Sequence, residues 1–228
     1  MSRLNVQPRR KFLQSLTLGA AALGTGGLTA PINASAGNIR SAFGNDPEDW
    51  MKKITGKHRI VYDVTEPHHQ FPFAWPRVFL LTNEATGTPQ SDCSVVVVLR
   101  HNAIPFAMDD HLWEKYKFGE MFHVTDVNTD KTAEKNPFWK PAPGTYKFPG
   151  FGPVSIGIDE LQESGVQFVV CDAAMTVYSA AAAGNDGDAA TVKKEWVGGV
   201  FPGIHIVPSG VWAVGRAQEK GCAYCFVR

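Results

Sequence analysis

Ser94-Val-Val-Val-Val-Leu-Arg100 is the clearest β-strand in the 228-residue chain. Its valines do not alternate with polar residues, so both faces of the strand are expected to be buried. Strands buried on both faces are typical of the centre of a parallel sheet that helices cover on each side. The stretch therefore predicts an α/β protein with a central parallel strand at 94–100.

Shorter apolar runs on either side predict the rest of the sheet, with strands at 59–64, 167–171, 204–207 and 222–227. Helical patterns with recognisable ends lie between them: 74–83, a helix from Asp109 or Asp110 to Tyr116, 159–164, 172–184 and 209–220. Asp172 is expected to cap the fourth of these helices. Strands that alternate with helices predict an α/β sandwich on a mainly parallel five-stranded sheet.

Two segments do not fit this alternation. Residues 37–57 are polar and mixed, and they predict a tether with a short helical piece around 46–53. The ordered domain is then expected to begin near His58 and to run to residue 228. Residues 125–153 hold five prolines and no clear period. Long irregular connections usually carry a function, so we expect this insert to be a surface excursion that serves as a lid or an oligomer contact.

The first 36 residues carry an export pattern. Arg9 and Arg10 precede a weakly hydrophobic stretch rich in Gly and Ala at 15–30, and Ala34-Ser35-Ala36 offers a small-residue cleavage site. A basic region, an apolar region and an A-x-A site in this order predict a secretory signal peptide. The paired arginines resemble the twin-arginine type. We therefore expect residues 1–36 to be removed and the product to be periplasmic.

Removal of this leader changes the charge of the chain. The leader holds four of the 22 basic residues and none of the 22 acidic residues, so residues 37–228 carry a net charge of −4. That balance offers no electrostatic footprint for nucleic acid or an anionic membrane. No apolar run after Ala36 has the length of a membrane span. The sequence thus argues against both kinds of partner.

Four cysteines are too few and too scattered for a disulfide-stapled scaffold. Cys222 and Cys225 have the C-x-x-C spacing of redox and zinc sites, but they lie in a predicted strand. Residues three apart in a strand point to opposite faces, so the two side chains are not expected to bridge or to share a metal. We interpret them as buried apolar cysteines. A disulfide between cysteines distant in sequence stays open for an exported protein.

Polar and reactive side chains follow three of the predicted strands. In open α/β sheets, ligands bind at the carboxyl ends of the strands. If these three strands are neighbours, a thiol, an imidazole, a guanidinium and a hydroxyl meet at one edge of the sheet. The candidate site residues are Arg100, His101, Cys171, Asp172, Ser209 and Gly210.

Cys171 is the most suggestive of them, because it lies where a strand passes into a helix. The free backbone N–H groups of a helix's first turn favour a thiolate and hence a better nucleophile. The competing interpretation is an inert core cysteine after Phe168-Val169-Val170, with the Asp172 carboxylate opposing thiolate formation. The residues alone do not choose between the two.

Arg100 and the turn at 208–210 also have two interpretations each. Arg100 either serves a site at the sheet edge or forms a structural salt bridge, for which Asp109, Asp110 and Glu114 are candidate partners. The turn after the fourth strand either caps the next helix and permits a close approach, or holds an anion.

Motifs for cofactors and metals are lacking. The chain shows no G-x-S-x-G elbow, no P-loop and no G-x-G-x-x-G after a strand, so no cofactor is predicted. His68 and His69 are adjacent, an arrangement that rarely serves one metal, and no H-E-x-x-H pattern accompanies them. No metal ligands are assigned. A haem or metal protein that uses His101 and another histidine is kept as a weaker hypothesis.

Three segments carry a resemblance to a known family. They are residues 95–107, VVVVLRHNAIPFA; residues 161–174, LQESGVQFVVCDAA; and residues 208–224, PSGVWAVGRAQEKGCAY. With them, the region from about His58 to Val227 resembles the DsrE/DsrF-like family, whose better-known members act in sulfur relay. The exported leader and the insert at 125–153 depart from that pattern.

The resemblance implies a flavodoxin-like three-layer sandwich that assembles into trimers or hexamers. In the sulfur-relay members a cysteine carries a persulfide and exchanges it with a sulfur-carrier protein partner, and only Cys171 falls near that position. We therefore expect an exported sulfur carrier or thiol-reactive protein that uses Cys171. The alternative is a non-catalytic periplasmic module that binds a ligand or serves assembly, in which Cys171 is a packing residue.

Overall fold

A computed structural model describes residues 46–227. Its centre is an all-parallel sheet of five strands in the order β4-β3-β2-β1-β5. The strands are β1 (His58–Val64), β2 (Cys93–Leu99), β3 (Gln167–Cys171), β4 (Ile204–Val207) and β5 (Ala223–Val227). The predicted α/β class, the five strands and the parallel sheet are confirmed, and the architecture is consistent with a flavodoxin-like three-layer sandwich.

Seven α-helices lie on the two faces of the sheet within the described residues. They are α1 (Phe71–Ala85), α2 (Asp110–Tyr116), α3 (Phe118–Met121), α4 (Ile158–Glu163), α5 (Asp172–Ala183), α6 (Ala189–Gly198) and α7 (Gly210–Glu219). Helices α1 to α6 pack on one face, where their apolar residues form the larger core with the sheet. Helix α7 packs on the other face through Ala213 and Ala217. Among residues 46–227, no helix has the length and apolar character needed to cross a membrane.

The valines of β2 are buried on both faces, as the sequence predicts. Val95 and Val97 belong to the core under α1 to α6, whereas Val96 and Val98 belong to the core under α7. All four have at most 1% of their surface exposed. Strand β2 pairs with β1 on one side and with β3 on the other, so it is the central strand.

The segment before β1 is part of the packed structure. The helical piece expected around 46–53 is a 3₁₀ turn at Asp49–Lys53. Trp50, Met51 and Ile54 are buried against the α7 face of the sheet. Residues 46–57 therefore pack with the domain, which begins earlier than the expected start near His58, because three apolar side chains find a hydrophobic surface there.

The insert between α3 and α4 is only partly a surface excursion. It contains two short antiparallel hairpins, which pair Thr125–Asp126 with Lys131–Thr132 and Lys147–Phe148 with Gly152–Pro153. Between the hairpins, Phe138 is buried and its ring lies 4.2 Å from that of Phe73 on α1. The insert is thus anchored to the core by an aromatic contact.

Candidate functional site

The carboxyl ends of β2, β3 and β4 lie side by side, because these three strands are neighbours in the sheet. The register pairs Leu99 with Val170. The residues that follow these two, Arg100 and Cys171, are therefore also neighbours. Cys171 in turn pairs with Val207 on β4. The candidate site required these three strands to be neighbours in the sheet, and they are.

Cys171 caps helix α5 with its own side chain. Its Sγ accepts a hydrogen bond from the backbone N–H of Ala174 at 3.3 Å. The residue as a whole is 6% exposed. The preceding amide, that of Ala173, donates to the carbonyl oxygen of Pro208 at 3.2 Å. The sulfur atom thus accepts the hydrogen bond that the side-chain oxygen of an N-cap residue normally accepts.

Asp172 does not cap α5, which corrects the prediction from sequence. It is the first helical residue, and its carboxylate forms a salt bridge with Lys193 on α6, at 2.8 Å from Oδ2 to Nζ. Cys171 is the N-cap residue because the helix begins at Asp172, one residue earlier than predicted. The ion pair also offsets the negative charge beside the thiol, which the inert-core interpretation had counted against a thiolate.

Arg100 is paired with a buried carboxylate. Its Nε and Nη2 donate to the two carboxylate oxygens of Asp63 at 2.6 and 2.9 Å. The Asp63 side chain is 4% exposed, and Oδ2 also accepts from the hydroxyl of Tyr224 at 2.8 Å. This hydrogen-bonded pairing with Asp63 raises the pKa of Arg100, and the neighbouring Cys171 adds to that rise.

The three salt-bridge partners considered for Arg100 have other roles. Asp109 caps α2 by accepting from the amide of Leu112 at 3.1 Å. Asp110 accepts from the amide of Asn136 in the insert at 2.9 Å, and Glu114 is exposed. The partner of Arg100 lies instead on the neighbouring strand, because β1 brings Asp63 beside the end of β2.

The start of α7 packs directly on Arg100. A Cβ atom placed on Gly210 would lie 2.5 Å from Cβ and 2.7 Å from Cδ of Arg100, so only glycine fits there. Ser209 caps the helix, its Oγ accepting from the amide of Trp212 at 3.2 Å. Gly210 thus permits the close approach that the turn sequence indicated. The group packed against it is the aliphatic part of the Arg100 side chain.

His101 belongs to a second, adjoining group of polar residues. Its backbone is left-handed, with φ +54°. Its Nδ1 lies 3.3 Å from the Tyr178 hydroxyl and its Nε2 lies 3.8 Å from Glu66 Oε1. Asn102 links the other two, because it donates to Glu66 at 2.8 Å and accepts from Tyr178. Burial raises the pKa of Tyr178 to about 12, so this hydroxyl stays a donor.

Asp63, Tyr224, Glu66 and Tyr178 were not identified from the sequence. One signal was available: Asp63 is the only acidic residue in the apolar strand His58–Val64, and a buried charge in a strand requires a partner. The others lie in loops, a helix and an edge strand. Their role depends on neighbours that only the folded chain supplies.

Other features of the described chain lie apart from this edge. An open cleft of about 930 Å³ lies beside α2, α3 and the first hairpin of the insert. Carboxylates and lysines line this cleft, and none of the candidate site residues lies in it.

All four cysteines are free thiols. Cys222 and Cys225 contact the two opposite cores. Residues 46–227 contain no group of three His, Cys, Asp or Glu side chains placed to hold a metal ion.

The predicted export signal, with Arg9, Arg10, Ala34 and Ala36, lies outside the described residues. Comparison with models of known protein families and with curated proteins finds no match for this chain.

Proposed function

We propose that the protein is a periplasmic sulfur carrier or thiol-reactive protein in which Cys171 is the working thiol. One observation carries the proposal: the Cys171 sulfur accepts a hydrogen bond from the Ala174 amide at the start of α5, at the carboxyl end of β3. Backbone N–H donors at the start of a helix favour negative charge, and nucleophilic cysteines are found in such positions.

The chemistry would be sulfur exchange without an external oxidant. The Cys171 thiolate attacks the outer sulfur of a donor that contains an S–S bond. A bond forms between Sγ and that sulfur, the S–S bond of the donor breaks, and its electron pair leaves with the remaining donor anion. Cys171 then holds a persulfide, which a second thiolate can take up in the same way.

The thiolate form is disfavoured at the other three cysteines. Burial raises the pKa of the Cys93, Cys222 and Cys225 thiols. A raised pKa leaves less thiolate near neutral pH, and the thiolate is the nucleophile. Cys171 is also the only cysteine whose sulfur accepts from a helical N-cap amide among residues 46–227.

Location, assembly and partner belong to the same proposal. The paired Arg9 and Arg10 with the Ala34–Ala36 site support export by the twin-arginine route. The resemblance to the DsrE/DsrF-like family supports a homo-oligomer, a trimer or a hexamer, and a sulfur-carrier protein as the acceptor of the persulfide.

The second candidate is a non-catalytic module that binds a ligand or serves assembly. The burial of Cys171, at 6% exposure, favours it, since a thiol in a core is normally inert. In that case Cys171 caps and packs, and a Cys171→Ser variant keeps both its fold and its partner binding.

Alkylation kinetics decide between the two. A variant with Ser at positions 93, 222 and 225 leaves Cys171 as the only thiol, and its reaction with iodoacetamide is compared in folded and urea-unfolded protein. We expect the folded protein to react faster. Reaction no faster than in the unfolded chain would reject the working-thiol proposal and leave the module. Cys171→Ser in the same background is the control for labelling at other side chains.

A further inference from the structure

Strand β5 is an open edge of the sheet. Among residues 46–227 it pairs with β1 alone, so the backbone groups on its other side have no strand to bond. Its sequence, AYCFV, holds no charge and no proline, and its register with β1 is unbroken. Tyr224 and Phe226 are 48% and 49% exposed. Proteins usually protect edge strands with charges, prolines or bulges, and β5 has none of these.

The opposite edge of the sheet is protected. Strand β4 lies between Pro202 and Pro208, which have no backbone N–H to donate. None of the four residues of β4 is exposed. The two edges therefore differ in their readiness to pair with another chain, and β5 is the one that is ready.

Helix α1 extends the apolar surface beside β5. Arg77 donates to groups at the end of α4, so one flank of α1 faces α4. Trp75 lies on the opposite flank, with Val78 one turn further along, and each is 42% exposed. The Tyr62 hydroxyl donates to the Trp75 carbonyl oxygen at 3.0 Å, and Tyr62 is the neighbour of Cys225 in the sheet. The exposed flank of α1 thus lies toward the open edge.

From these surfaces we infer that β5 pairs with β5 of a second copy of this chain, antiparallel and about a two-fold axis. Two five-stranded sheets then form one sheet of ten strands. An antiparallel pair at the edge of a parallel sheet is common, and a two-fold contact closes because both copies use the same surface. The inference concerns assembly and does not depend on the chemistry of Cys171.

The sequence of β5 is suited to pairing with itself. Only a two-fold axis at Cys225 pairs all five residues of the strand with a second copy. Tyr224 then lies opposite Phe226 of the partner subunit, and the same pair recurs on the other side of the axis. Aromatic side chains that face each other across antiparallel strands stabilise the pairing. No like charges meet, because the strand carries none.

The exposed aromatic area suffices for a weak dimer. A buried aromatic side chain removes about 150–250 Å² from water, so the half-exposed Tyr224, Phe226 and Trp75 offer about 300 Å² per copy. Apolar atoms form about 60% of an interface, and the two copies together therefore correspond to an interface of about 1,000 Å². Specific interfaces begin near this size. We thus expect association that depends on protein concentration.

Sedimentation equilibrium of residues 37–228, over a wide range of protein concentration, tests the inference. We expect the mass to rise to that of two copies, or of six if the trimer of the proposed function also forms. Only an even number of copies satisfies a two-fold contact at every edge. A mass of one copy or of three at the highest concentration would overturn the inference, and the edge would then be left to a different chain.

A charged variant assigns the association to β5. Phe226→Lys places a charge on the open edge and should halve the mass. Val177→Lys, at a 56% exposed position of α5, is the matched control and should leave the mass unchanged. Circular dichroism checks that both variants are folded. If Phe226→Lys does not fold, Phe226→Thr, which keeps a residue that favours strands, should weaken the association instead. A folded variant at position 226 with the wild-type mass would exclude β5 as the interface.

A thiol cross-link tests the register. Residues directly opposite in antiparallel strands have Cα atoms about 4.5–5.5 Å apart, a separation that a disulfide spans. In a variant whose only thiol is Cys225, copper phenanthroline with dioxygen should join two copies, and dioxygen takes up the two electrons and two protons released. A variant whose only thiol is Cys93, also partly buried, should stay unlinked. Equal linkage of both, or no linkage of Cys225 in a dimeric protein, would contradict an axis at Cys225.

Discussion

Asp63 is the residue that most changes the interpretation of the site. It lies in β1 among apolar neighbours, and its burial is tolerated because Arg100 and Tyr224 satisfy both carboxylate oxygens. Removal of one partner of a buried ion pair is costly, since it leaves an uncompensated charge. The charge on Arg100 is therefore needed inside this edge of the sheet, where it compensates the buried carboxylate of Asp63.

A pH dependence of stability follows from His205. This residue of β4 is half-buried, and burial lowers its pKa, with the positive charge of Lys53 acting in the same direction. A histidine whose folded pKa lies below its unfolded value of about 6.5 binds protons more readily when unfolded. Its stabilising effect is complete above that value and is lost as the pH falls below it.

We therefore expect the free energy of unfolding, measured by urea titration, to fall between about pH 7 and pH 5. His205→Gln should make this fall shallower. His68→Gln, at an exposed position, is the matched control and should leave the slope unchanged. An equal slope in wild type and His205→Gln would contradict the assignment.

At the scale of elements, the sequence predicts the sheet better than the helices. The bounds of β3 and β4 agree with the predicted 167–171 and 204–207, because continuous apolar runs mark buried strands clearly. Helix α6 was not predicted, since Lys193, Lys194 and Glu195 interrupt its apolar pattern, and its buried Trp196 has meaning only once the core surrounds it. The hairpins of the insert depend similarly on tertiary contacts.

The candidate site was predictable in part for the same reason. Arg100, Cys171 and Gly210 follow recognisable strands, so their meeting at one edge follows from the parallel topology. Asp63 and Tyr224 lie within strands β1 and β5, and the neighbour relation of these strands to β2 could not be deduced from the chain order. The residues at strand ends were therefore found, and those that position them were not.

Two glycines on α7 should respond in opposite ways to the same substitution. Gly210→Ala places a Cβ 2.5 Å from Cβ of Arg100, and such overpacking costs about 1–3 kcal/mol. Gly215→Ala, whose Cβ would have no atom within 4 Å, should stabilise the helix by about 0.5–1 kcal/mol. Thermal unfolding of the two variants beside wild type measures both signs. A neutral Gly210→Ala would show that Arg100 is free to move.

The cap of α5 gives a second prediction at this scale. Cys171→Ser keeps a side-chain acceptor for the Ala174 amide, whereas Cys171→Ala removes it. Loss of an N-cap costs about 1 kcal/mol, so we expect Ala to be less stable than Ser by about that amount in chemical denaturation. Equal stabilities would show that the 3.3 Å contact of the sulfur does not cap the helix.

At the scale of the whole molecule, both faces of the sheet must be covered, and the α7 face is covered in part by the segment before β1. Trp50 is 1% exposed in that cover, whereas Trp75 on α1 is 42% exposed. We expect Trp50→Ala to lower the free energy of unfolding by about 3–5 kcal/mol and Trp75→Ala by about 1 kcal/mol. Urea denaturation compares them, and a small effect at Trp50 would mean that residues 46–57 are a dispensable tether.

The proposed function depends on whether Cys171 accepts sulfur. The direct measurement is intact-mass spectrometry of the mature protein, purified without reductant and then exposed to polysulfide. We expect a mass gain of about one sulfur atom that maps to Cys171, disappears with reductant and is absent from Cys171→Ser. An unchanged mass, in protein whose fold is intact, would contradict the sulfur-carrier proposal and identify Cys171 as a packing and capping residue.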